Sequence, residues 1–526
     1  QTSVHYQLIG TRLNELLEST SHLSPHQGGF RPRVGCLETL LYTTEEWWAA
    51  TDKDAAKREH RVPVTTVAYL DLSKAFDMPD RELLLWKCRE AGVDDVTLRW
   101  IAAWLRGPLT QQVKVDGALS SPRTDERGAP QGSVLGPLLF LLWVNDGIDE
   151  LKCNVSVFAD DTTIWSTAAT TADQAREVNA GLETLARWAE RWGSEFNASK
   201  CRHMEVRRGR RRSDEVLTLD GVVLQRCRTY RLLGMTVAED LSWAVHIKTR
   251  IAELQRQQRF LPYITRGSGE AQRHVCETLY SGVIRPRVEY GAALYAQGRR
   301  DLLEELEREQ VQLAARIVGA TAKAGASHAA LRAELGWPTL ESRRDDACLK
   351  QLSRTVELGP THRLATQLTR NAEPGRSSRF YDHAWAIWRR RVTPELVTTL
   401  GTERFRAAVK QNSADQSRRE WQSQPGAHCA RMRRIKPEPT PWRHCSFGPR
   451  KWNTALARLR LGTAELRARL HRIGKAATPA CPHCGGADGG PPETAQHYLC
   501  ECVAWLPQRM QLHDELTWIE EEVPNP

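Results

Sequence analysis

The sequence predicts an α+β fold in which a small sheet is followed by a mainly helical remainder. Strand-like and helix-like patterns alternate over about the first third of the 526 residues, as expected for a mixed layered domain. From about Leu241 onward strand patterns fade and helical ones dominate, for instance over 302–317 and 329–335. We therefore expect the sheet in the N-terminal part and helices beyond it.

The first predicted strand is the β-branched and apolar run over 65–72, whose composition indicates burial on both faces. A helix should follow, with Asp77 as a candidate N-cap, Pro79 in its first turn and Gly92 as its stop. Two short strands at 155–158 and 162–165, separated by Ala159, Asp160 and Asp161, predict a tight hairpin. The apolar stripe over 171–192 predicts an amphipathic helix that ends at Gly193.

Carboxylates lie at the end of the predicted strand and at the tip of the predicted hairpin. Asp71 ends a buried strand, where an acid must be paired, hydrogen-bonded or bound to a metal. Asp160 and Asp161 are adjacent in a predicted turn. An Asp-Asp pair at such a position usually belongs to an ordinary solvated turn. If the three share one sheet, they could hold two divalent cations for phosphoryl transfer.

The surrounding segments give these acids a context. These segments are 27–31 (Gln-Gly-Gly-Phe-Arg), 69–77, 128–140, 158–161, 196–200, 230–235 and 284–291. Together, and in this order, they resemble the reverse transcriptases of non-LTR retrotransposons.

The resemblance implies a right-hand polymerase with fingers, a palm carrying a small antiparallel sheet, and a helical thumb. The implied divisions are an N-terminally truncated fingers and palm over 1–235, a helical thumb and connection over 236–345, a helical and linker region over 346–455, and a basic helix with a zinc knuckle over 456–526. The function implied is RNA-templated DNA synthesis, primed at a chromosomal nick, with an RNA template, a DNA primer or target and dNTPs as partners.

The resemblance also assigns roles to residues. Asp71, Asp160 and Asp161 would bind two Mg²⁺ ions, with Mn²⁺ as an alternative, and Lys200 would protonate the departing pyrophosphate. Phe76 would be the aromatic gate against a 2′-hydroxyl, unless it is simply a core residue. The nucleotide pocket would further contain Gln131, Gly132 and Arg31, although a turn and a surface arginine are the simpler explanations of these three.

Two other functions remain open. One is a related polymerase, such as an intron maturase or an RNA-templated RNA polymerase; Phe76, as a gate that favours dNTPs, argues against the RNA polymerase. The other is an inactive or domesticated nucleic-acid-binding remnant, against which the intact acids argue. We find no convincing carboxylate set for an RNase H domain, and no place for an endonuclease in a chain of this length.

A Cys/His cluster near the C-terminus predicts one structural zinc site. Cys481, Cys484, His497 and Cys502 have the spacing Cys-x2-Cys-x12-His-x4-Cys, which can close a tetrahedral Zn²⁺ site and resembles the C-terminal zinc motif of the same elements. Cys500 is an alternative fourth ligand, His483 could compete for a place, and ordinary free thiols are the less favoured alternative.

The charge is concentrated in front of this cluster. The whole chain carries +10, whereas residues 431–475 contain thirteen lysines and arginines against two glutamates. Cations interleaved with tryptophans are typical of nucleic-acid binding, although a charge run is often a solvated face. The candidates are Arg431, Arg433, Arg434, Trp442, Arg443, Arg450, Lys451 and Trp452.

Composition excludes other classes. No run approaches the roughly 20 apolar residues of a membrane span, and the segment after Gln1 has no pattern of a secretion signal. Nine of the thirteen cysteines are scattered singly, which fits a reducing compartment better than a disulfide framework. We expect an intracellular protein without a membrane partner, and the resemblance implies the nucleus; the oligomeric state is not predicted.

Overall fold

The computed structural model describes residues 2–107, 110–124, 127–130, 132–209, 213–264, 272–320, 326–371, 378–391, 401, 403–441, 450–485 and 489–522. These residues form two compact units. The first comprises Gln1–Ile247, Ala293–Arg299 and Ala347–Val409, and the second comprises Lys248–Ala292, Arg300–Asp346 and Lys410–Pro526.

The first unit contains a five-stranded sheet with the strand order β11-β8-β1-β7-β6. Its strands are β1 (Val64–Leu70), β6 (Asn154–Phe158), β7 (Asp161–Ser166), β8 (Arg202–Arg207) and β11 (Gln225–Arg226). Strand β1 is antiparallel to both β7 and β8, β6 is antiparallel to β7, and β11 is parallel to β8.

Four two-stranded ribbons accompany this sheet, pairing β2 with β5, β3 with β4, β9 with β10 and β12 with β13. Their strands are β2 (Thr110–Gln111), β3 (Lys114–Val115), β4 (Ala118–Leu119), β5 (Arg123–Thr124), β9 (Thr218–Leu219), β10 (Val222–Val223), β12 (Thr229–Leu232) and β13 (Met235–Ala238). Beyond Ala238 the described residues contain helices and no further named strand, which confirms the predicted change of pattern near Leu241.

Helices complete both units. Up to the last strand they are α1 (Thr2–Ser19), α2 (Cys36–Ala50), α3 (Lys53–Arg58), α4 (Arg81–Glu90), α5 (Asp95–Arg106), α6 (Gly136–Asp149) and α7 (Thr171–Arg191). After it come α8 (Ala244–Ile264), α9 (Gln272–Leu279), a π-helical segment Tyr280–Ile284, α10 (Arg285–Glu289), α11 (Ala292–Tyr295), α12 (Arg300–Val318), α13 (His328–Leu335) and α14 (Leu340–Glu357). The remainder are α15 (Arg363–Asn371), α16 (Arg379–Arg391), α17 (Glu403–Ser423), α18 (Ala427–Ile435), α19 (Arg450–Leu461), α20 (Arg467–Arg472), a π-helical segment His497–Glu501, a 3₁₀ segment Val503–Trp505 and α21 (Leu506–Glu522).

Strand β1 is buried on both faces of the sheet. On one face Leu70 lies in an apolar cluster with residues of α6 and α7, such as Leu139 and Leu182. On the other face Trp47 of α2 meets Tyr69 edge to face, with 6.2 Å between ring centroids. Two-sided burial explains why the strand is a continuous apolar and β-branched run, as predicted.

The helix after β1 begins later than predicted. Its N-cap is Asp80 and not Asp77, because the Asp80 side chain accepts hydrogen bonds from the backbone N–H groups of Glu82 and Leu83. Asp77 lies in the preceding turn. Gly92, with φ of +83°, terminates this helix as predicted. The predicted hairpin at 155–165 and the helix over 171–192 are confirmed.

Among the described residues we find neither a membrane-spanning helix nor a disulfide bond. None of their helices combines the length and apolarity needed to cross a lipid bilayer. The cysteines that they include are all free thiols.

A buried carboxylate joins two helices of the first unit. Glu45 of α2 accepts hydrogen bonds from the Ser378 hydroxyl and from the backbone N–H groups of Arg379 and Phe380. These N–H groups belong to the first turn of α16, where backbone donors lack partners within the helix. Burial outweighs the hydrogen bonds and raises the pKa of Glu45 to about 7.

We expect Glu45→Gln to remove a pH-dependent part of the stability. Since the folded-state pKa of Glu45 is about 7 and its ordinary value is 4.5, the protonated form stabilises the fold at low pH, and this contribution is lost as pH rises through the folded-state value. Between about pH 5 and pH 8, the thermal unfolding midpoint of the wild type should fall relative to that of the variant. The exposed Glu183 provides the control, Glu183→Gln, whose curve should run parallel to the wild type. Parallel curves for Glu45→Gln as well would contradict the prediction.

Candidate active site

The antiparallel register brings the three predicted acids to one edge of the sheet. Leu70 at the end of β1 lies opposite Thr162 of β7, so the next residue, Asp71, lies beside the start of β7. Phe158 pairs with Asp161, which leaves Ala159 and Asp160 as the two residues of the hairpin turn. The structure therefore places Asp71, Asp160 and Asp161 next to one another, as the sequence predicted.

The electrostatics of this cluster favour a cation. Burial, and then the Asp160 and Asp71 carboxyls, raise the pKa of Asp161 to about 6. Burial and the nearby Asp71 carboxyl also raise the pKa of Asp160. A raised pKa means that the ionised form is disfavoured, chiefly by desolvation and then by repulsion from the like charge. Carboxylate oxygens are the ligands that Mg²⁺ prefers, and these residues fit such an ion.

The peptide of Asp71 is held on both sides by the loop before β8. Its N–H donates to the Cys201 Sγ at 3.4 Å, and its carbonyl accepts from the Asn197 N–H at 2.8 Å. Lys200, in the same loop, places its Nζ 3.4 Å from the Asp71 Oδ2 and keeps 66% of its side chain exposed. The predicted Lys200 therefore lies at the site, with a largely solvent-exposed side chain.

Phe76 follows Asp71 by five residues and lies partly buried between two aromatic rings. It stacks on Phe140, with 4.5 Å between ring centroids and an interplanar angle of 22°. It also meets Phe30 edge to face at 6.2 Å. Phe30 belongs to the predicted fingers segment, so this ring links that segment to the carboxylate edge.

The glycine-rich loop before α6 packs against the turn that carries Phe76. The Ala129 N–H donates to the Phe76 carbonyl at 3.0 Å. Gly128 has φ of +82°, and a Cβ there would lie 2.7 Å from the Phe76 carbonyl oxygen, so both its conformation and its neighbours require glycine. Gly132 also has a positive φ, +79°, and the predicted Gln131 lies outside the described residues.

The Arg31 guanidinium forms hydrogen bonds with other groups of the protein. Its Nε and Nη2 donate to the two carboxylate oxygens of Glu18 at 2.8 and 2.6 Å, and its Nη1 donates to the Ser24 carbonyl at 3.1 Å. This two-point pairing uses the same donor fork that recognises phosphate. The sequence did not indicate Glu18, because nothing in its local pattern distinguishes it from other helix-surface acids.

The four predicted zinc ligands converge in the second unit. The Cys481, Cys484 and Cys502 Sγ atoms and a ring nitrogen of His497 lie within 4.8 Å of one another, whereas Cys500 is exposed. The Cys502 Sγ is 3.8 Å from that of Cys481 and 3.5 Å from that of Cys484. A tetrahedral ion with Zn–S bonds of about 2.3 Å separates its sulfur ligands by about 3.8 Å. The His497 Nε2 is buried and has no hydrogen-bond partner among the described residues, so the cluster fits a zinc ion.

Of the predicted alternatives, His483 packs its ring edge to face against Trp505, with centroids 5.8 Å apart. It is not among the four clustered residues.

The positively charged stretch 431–475, called the basic block below, supplies side chains that form hydrogen bonds within the second unit. Arg433 donates to the carbonyls of Trp421 and Gln424 at 3.1 and 2.7 Å, and the Lys436 Nζ donates to the Ala333 and Glu334 carbonyls that end α13. The exposed predicted residues are Arg431, Arg434, Lys451 and Trp452. Arg450 begins α19, and Trp442 and Arg443 lie outside the described residues.

The comparisons with known proteins identify the class of the N-terminal part. Residues 1–237 match the family described as "Reverse transcriptase (RNA-dependent DNA polymerase)". The chain therefore carries a reverse transcriptase domain.

Its relatives specify the type. The chain is 25% identical over 322 residues, or 60% of its length, to the "RNA-directed DNA polymerase from mobile element jockey" of Drosophila melanogaster, and this match covers 34% of that protein. It is 24% identical over 388 residues to the "Retrovirus-related Pol polyprotein from type-1 retrotransposable element R1 2" of Nasonia vitripennis, covering 71% of this chain and 85% of that one. The domain is of the type found in non-LTR retrotransposons, which confirms the resemblance. The chain spans about a third of the jockey relatives.

Among solved structures, apo telomerase from Candida tropicalis is similar with a TM-score of 0.30 and 11% identity, over 77% of this chain and 60% of that one.

Proposed function

We propose that this chain is the polymerase part of a non-LTR retrotransposon protein and copies RNA into DNA by extending a DNA 3′-hydroxyl with dNTPs. The observation that carries the proposal is the convergence of Asp71, Asp160 and Asp161 at one edge of the sheet of a reverse transcriptase domain. Priming at a nick in target DNA, and hence action in the nucleus, is the finer part of the proposal, supported by the retrotransposon relatives.

The reaction joins the primer 3′-oxygen to the α-phosphorus of a dNTP and breaks the bond to pyrophosphate. The three acids would hold two Mg²⁺ ions, which when bound supply activation of the 3′-hydroxyl and charge neutralisation on the triphosphate. The exposed ammonium of Lys200 would give its proton to the leaving pyrophosphate oxygen. Arg31 would exchange Glu18 for phosphate oxygens, and Gln131 and Gly132 would line the nucleotide pocket.

We propose the right-hand division for the remaining parts. Residues 1–235 would be fingers and palm, 236–345 thumb and connection, 346–455 a helical and linker region, and 456–526 a basic helix with the zinc knuckle. The exposed Arg431, Arg434, Lys451 and Trp452 are the described members of the basic block that support binding of template or target nucleic acid. An inactive remnant is disfavoured, because decay would not preserve the acid cluster together with Lys200.

We expect Asp160→Asn to reduce primer extension on an RNA template by about 10²–10³-fold or more, the usual cost of removing one stabilising group from such a site. The measurement is dNTP incorporation in Mg²⁺ by the purified chain, with circular dichroism confirming that the variant folds. The matched control is Asp220→Asn, at an exposed turn with φ of +48° that asparagine also adopts. Synthesis at the wild-type rate by Asp160→Asn would refute the assigned site.

We expect Phe76→Val to increase incorporation of rNTPs relative to dNTPs by about tenfold or more, since steric rejection depends on the shape of the pocket wall. The measurement is the ratio of kcat/KM for a matched rNTP and dNTP pair. Phe30→Val, which removes the ring on the other side of Phe76, is the control and should change the ratio less. A variant that loses stability but keeps the wild-type ratio would show that Phe76 is a core residue only.

We expect the wild type to carry one zinc ion, and Cys502→Ser to lose it while Cys500→Ser keeps it. Cys502 is buried within the cluster and Cys500 is exposed, so the two substitutions are matched in chemistry and differ in position. Native mass spectrometry of the purified chains measures the metal directly. The opposite pattern, with loss from Cys500→Ser alone, would assign the fourth ligand to Cys500.

A further inference from the structure

The hairpin turn that presents Asp160 and Asp161 forms hydrogen bonds with a side chain that is distant in sequence. The Gln27 Oε1 accepts a hydrogen bond from the Ala159 N–H at 2.8 Å, and the Gln27 Nε2 donates to the Ala159 carbonyl at 3.2 Å. Both polar groups of one backbone residue are thus bound by one amide. Gln27 is only 2% exposed, so solvent does not compete for these bonds.

The backbone of Ala159 has an unfavourable conformation that these hydrogen bonds stabilise. Its φ is +58°, in the left-handed region that residues with a Cβ avoid. It is also the first of two turn residues between the paired Phe158 and Asp161, a position with positive φ at which hairpins favour glycine. The turn is therefore intrinsically unfavourable with alanine, and the bonds from Gln27 favour the conformation that the acids require.

The segment that carries Gln27 is itself fixed to the neighbouring strand. The Val157 N–H donates to the His26 carbonyl at 2.9 Å, and the Gly28 N–H donates to the Val157 carbonyl at 2.8 Å. The Gly29 N–H donates to the Gln27 Oε1 at 2.8 Å, which orients the amide towards Ala159.

Gly29 brings the two backbones into direct contact. A Cβ at this position would lie 2.2 Å from the Ala159 nitrogen, a distance that no side chain tolerates. The segment and the turn are thus held in direct contact: two backbone hydrogen bonds join the segment to Val157, and the Gly29 N–H orients the Gln27 amide.

We propose that Gln27 is a positioning residue: it sets the orientation of the Ala159 peptide groups and thereby the direction in which Asp160 and Asp161 point. This inference rests on the proposed function of those two acids. A site of this kind must hold its groups to within about 0.5 Å, and a turn in a disfavoured conformation would relax if its hydrogen bonds were removed.

The test uses Gln27→Met in the full chain, because methionine has a similar length and volume but makes neither hydrogen bond. Gln27→Glu is the second variant: its carboxylate keeps an acceptor for the Ala159 and Gly29 N–H groups and loses the donor to the Ala159 carbonyl. The matched control is Gln7→Met, on an exposed face of α1.

The first readout needs no catalysis. Hydrogen exchange of the Ala159 amide, measured on a peptide spanning the hairpin, should be faster by about tenfold in Gln27→Met, as expected for the loss of one ordinary hydrogen bond. It should be wild-type-like in Gln7→Met and nearly so in Gln27→Glu. Wild-type protection of this amide in Gln27→Met would overturn the proposal.

The second readout separates positioning from a purely structural role. In primer extension, Gln27→Met should raise the Mg²⁺ concentration for half-maximal rate by about tenfold or more, the effect typical of removing a group that orients metal ligands, with a smaller change in KM for dNTP. If Gln27 only supported folding, fewer molecules would be active but the Mg²⁺ midpoint would be unchanged, which would overturn the proposal.

Failure of the polymerase proposal would be distinguishable from failure of this one. If the wild type extends no primer, the proposed function fails. Calorimetric titration of Mn²⁺ alone into the wild type, Gln27→Met and Gln7→Met then tests the positioning role. Weaker binding confined to Gln27→Met supports that role, and equal binding by all three overturns it.

Discussion

The first unit is organised around the close approach of three carboxylates at one edge of a sheet. The register of β1 against β7 brings Asp71 beside Asp160 and Asp161, and burial and like-charge repulsion then disfavour the charged forms of Asp160 and Asp161. A cluster of this kind does not assemble by attraction between its own members. It must be imposed by the surrounding backbone, and each acid is indeed fixed by hydrogen bonds to its own or its neighbour's peptide groups.

These backbone contacts come from segments distant in sequence. The loop before β8 binds both peptide groups of Asp71 through Cys201 and Asn197, and the loop before α2 binds those of Ala159 through Gln27. Strand β1 is buried on both faces, so the sheet itself cannot shift to relieve the repulsion. Rigidity in the strands and restraint at the turns together keep the acids in place.

Much of this could be predicted from the sequence, for a physical reason. Buried strands, hairpins and amphipathic helices leave periodic patterns of apolar residues, so β1, the β6–β7 hairpin and α7 were predicted with small errors at their ends. The cap of α4 was placed at Asp77 instead of Asp80 because several aspartates lie near the helix start, and only the bonds to the Glu82 and Leu83 N–H groups distinguish them. Roles such as those of Cys201 and Glu45 could not be predicted, since contacts between a side chain and a distant backbone have no characteristic spacing.

The sequence is least informative about the role of its charged residues, because a count of charges does not show which side chains are bonded to other groups of the protein. Lys436 and Arg433 belong to the basic block by sequence, yet they bind backbone carbonyls within the second unit. Arg31 is also bonded within the fold, but its partner is a carboxylate. Its pairing with Glu18 occupies the guanidinium and also holds it in the two-point geometry that oxygen pairs require. On the proposed role of Arg31, a triphosphate that replaces the Glu18 carboxylate would meet an arginine whose conformational entropy has already been lost on folding, so the ion pair that occupies the arginine would also prepare it.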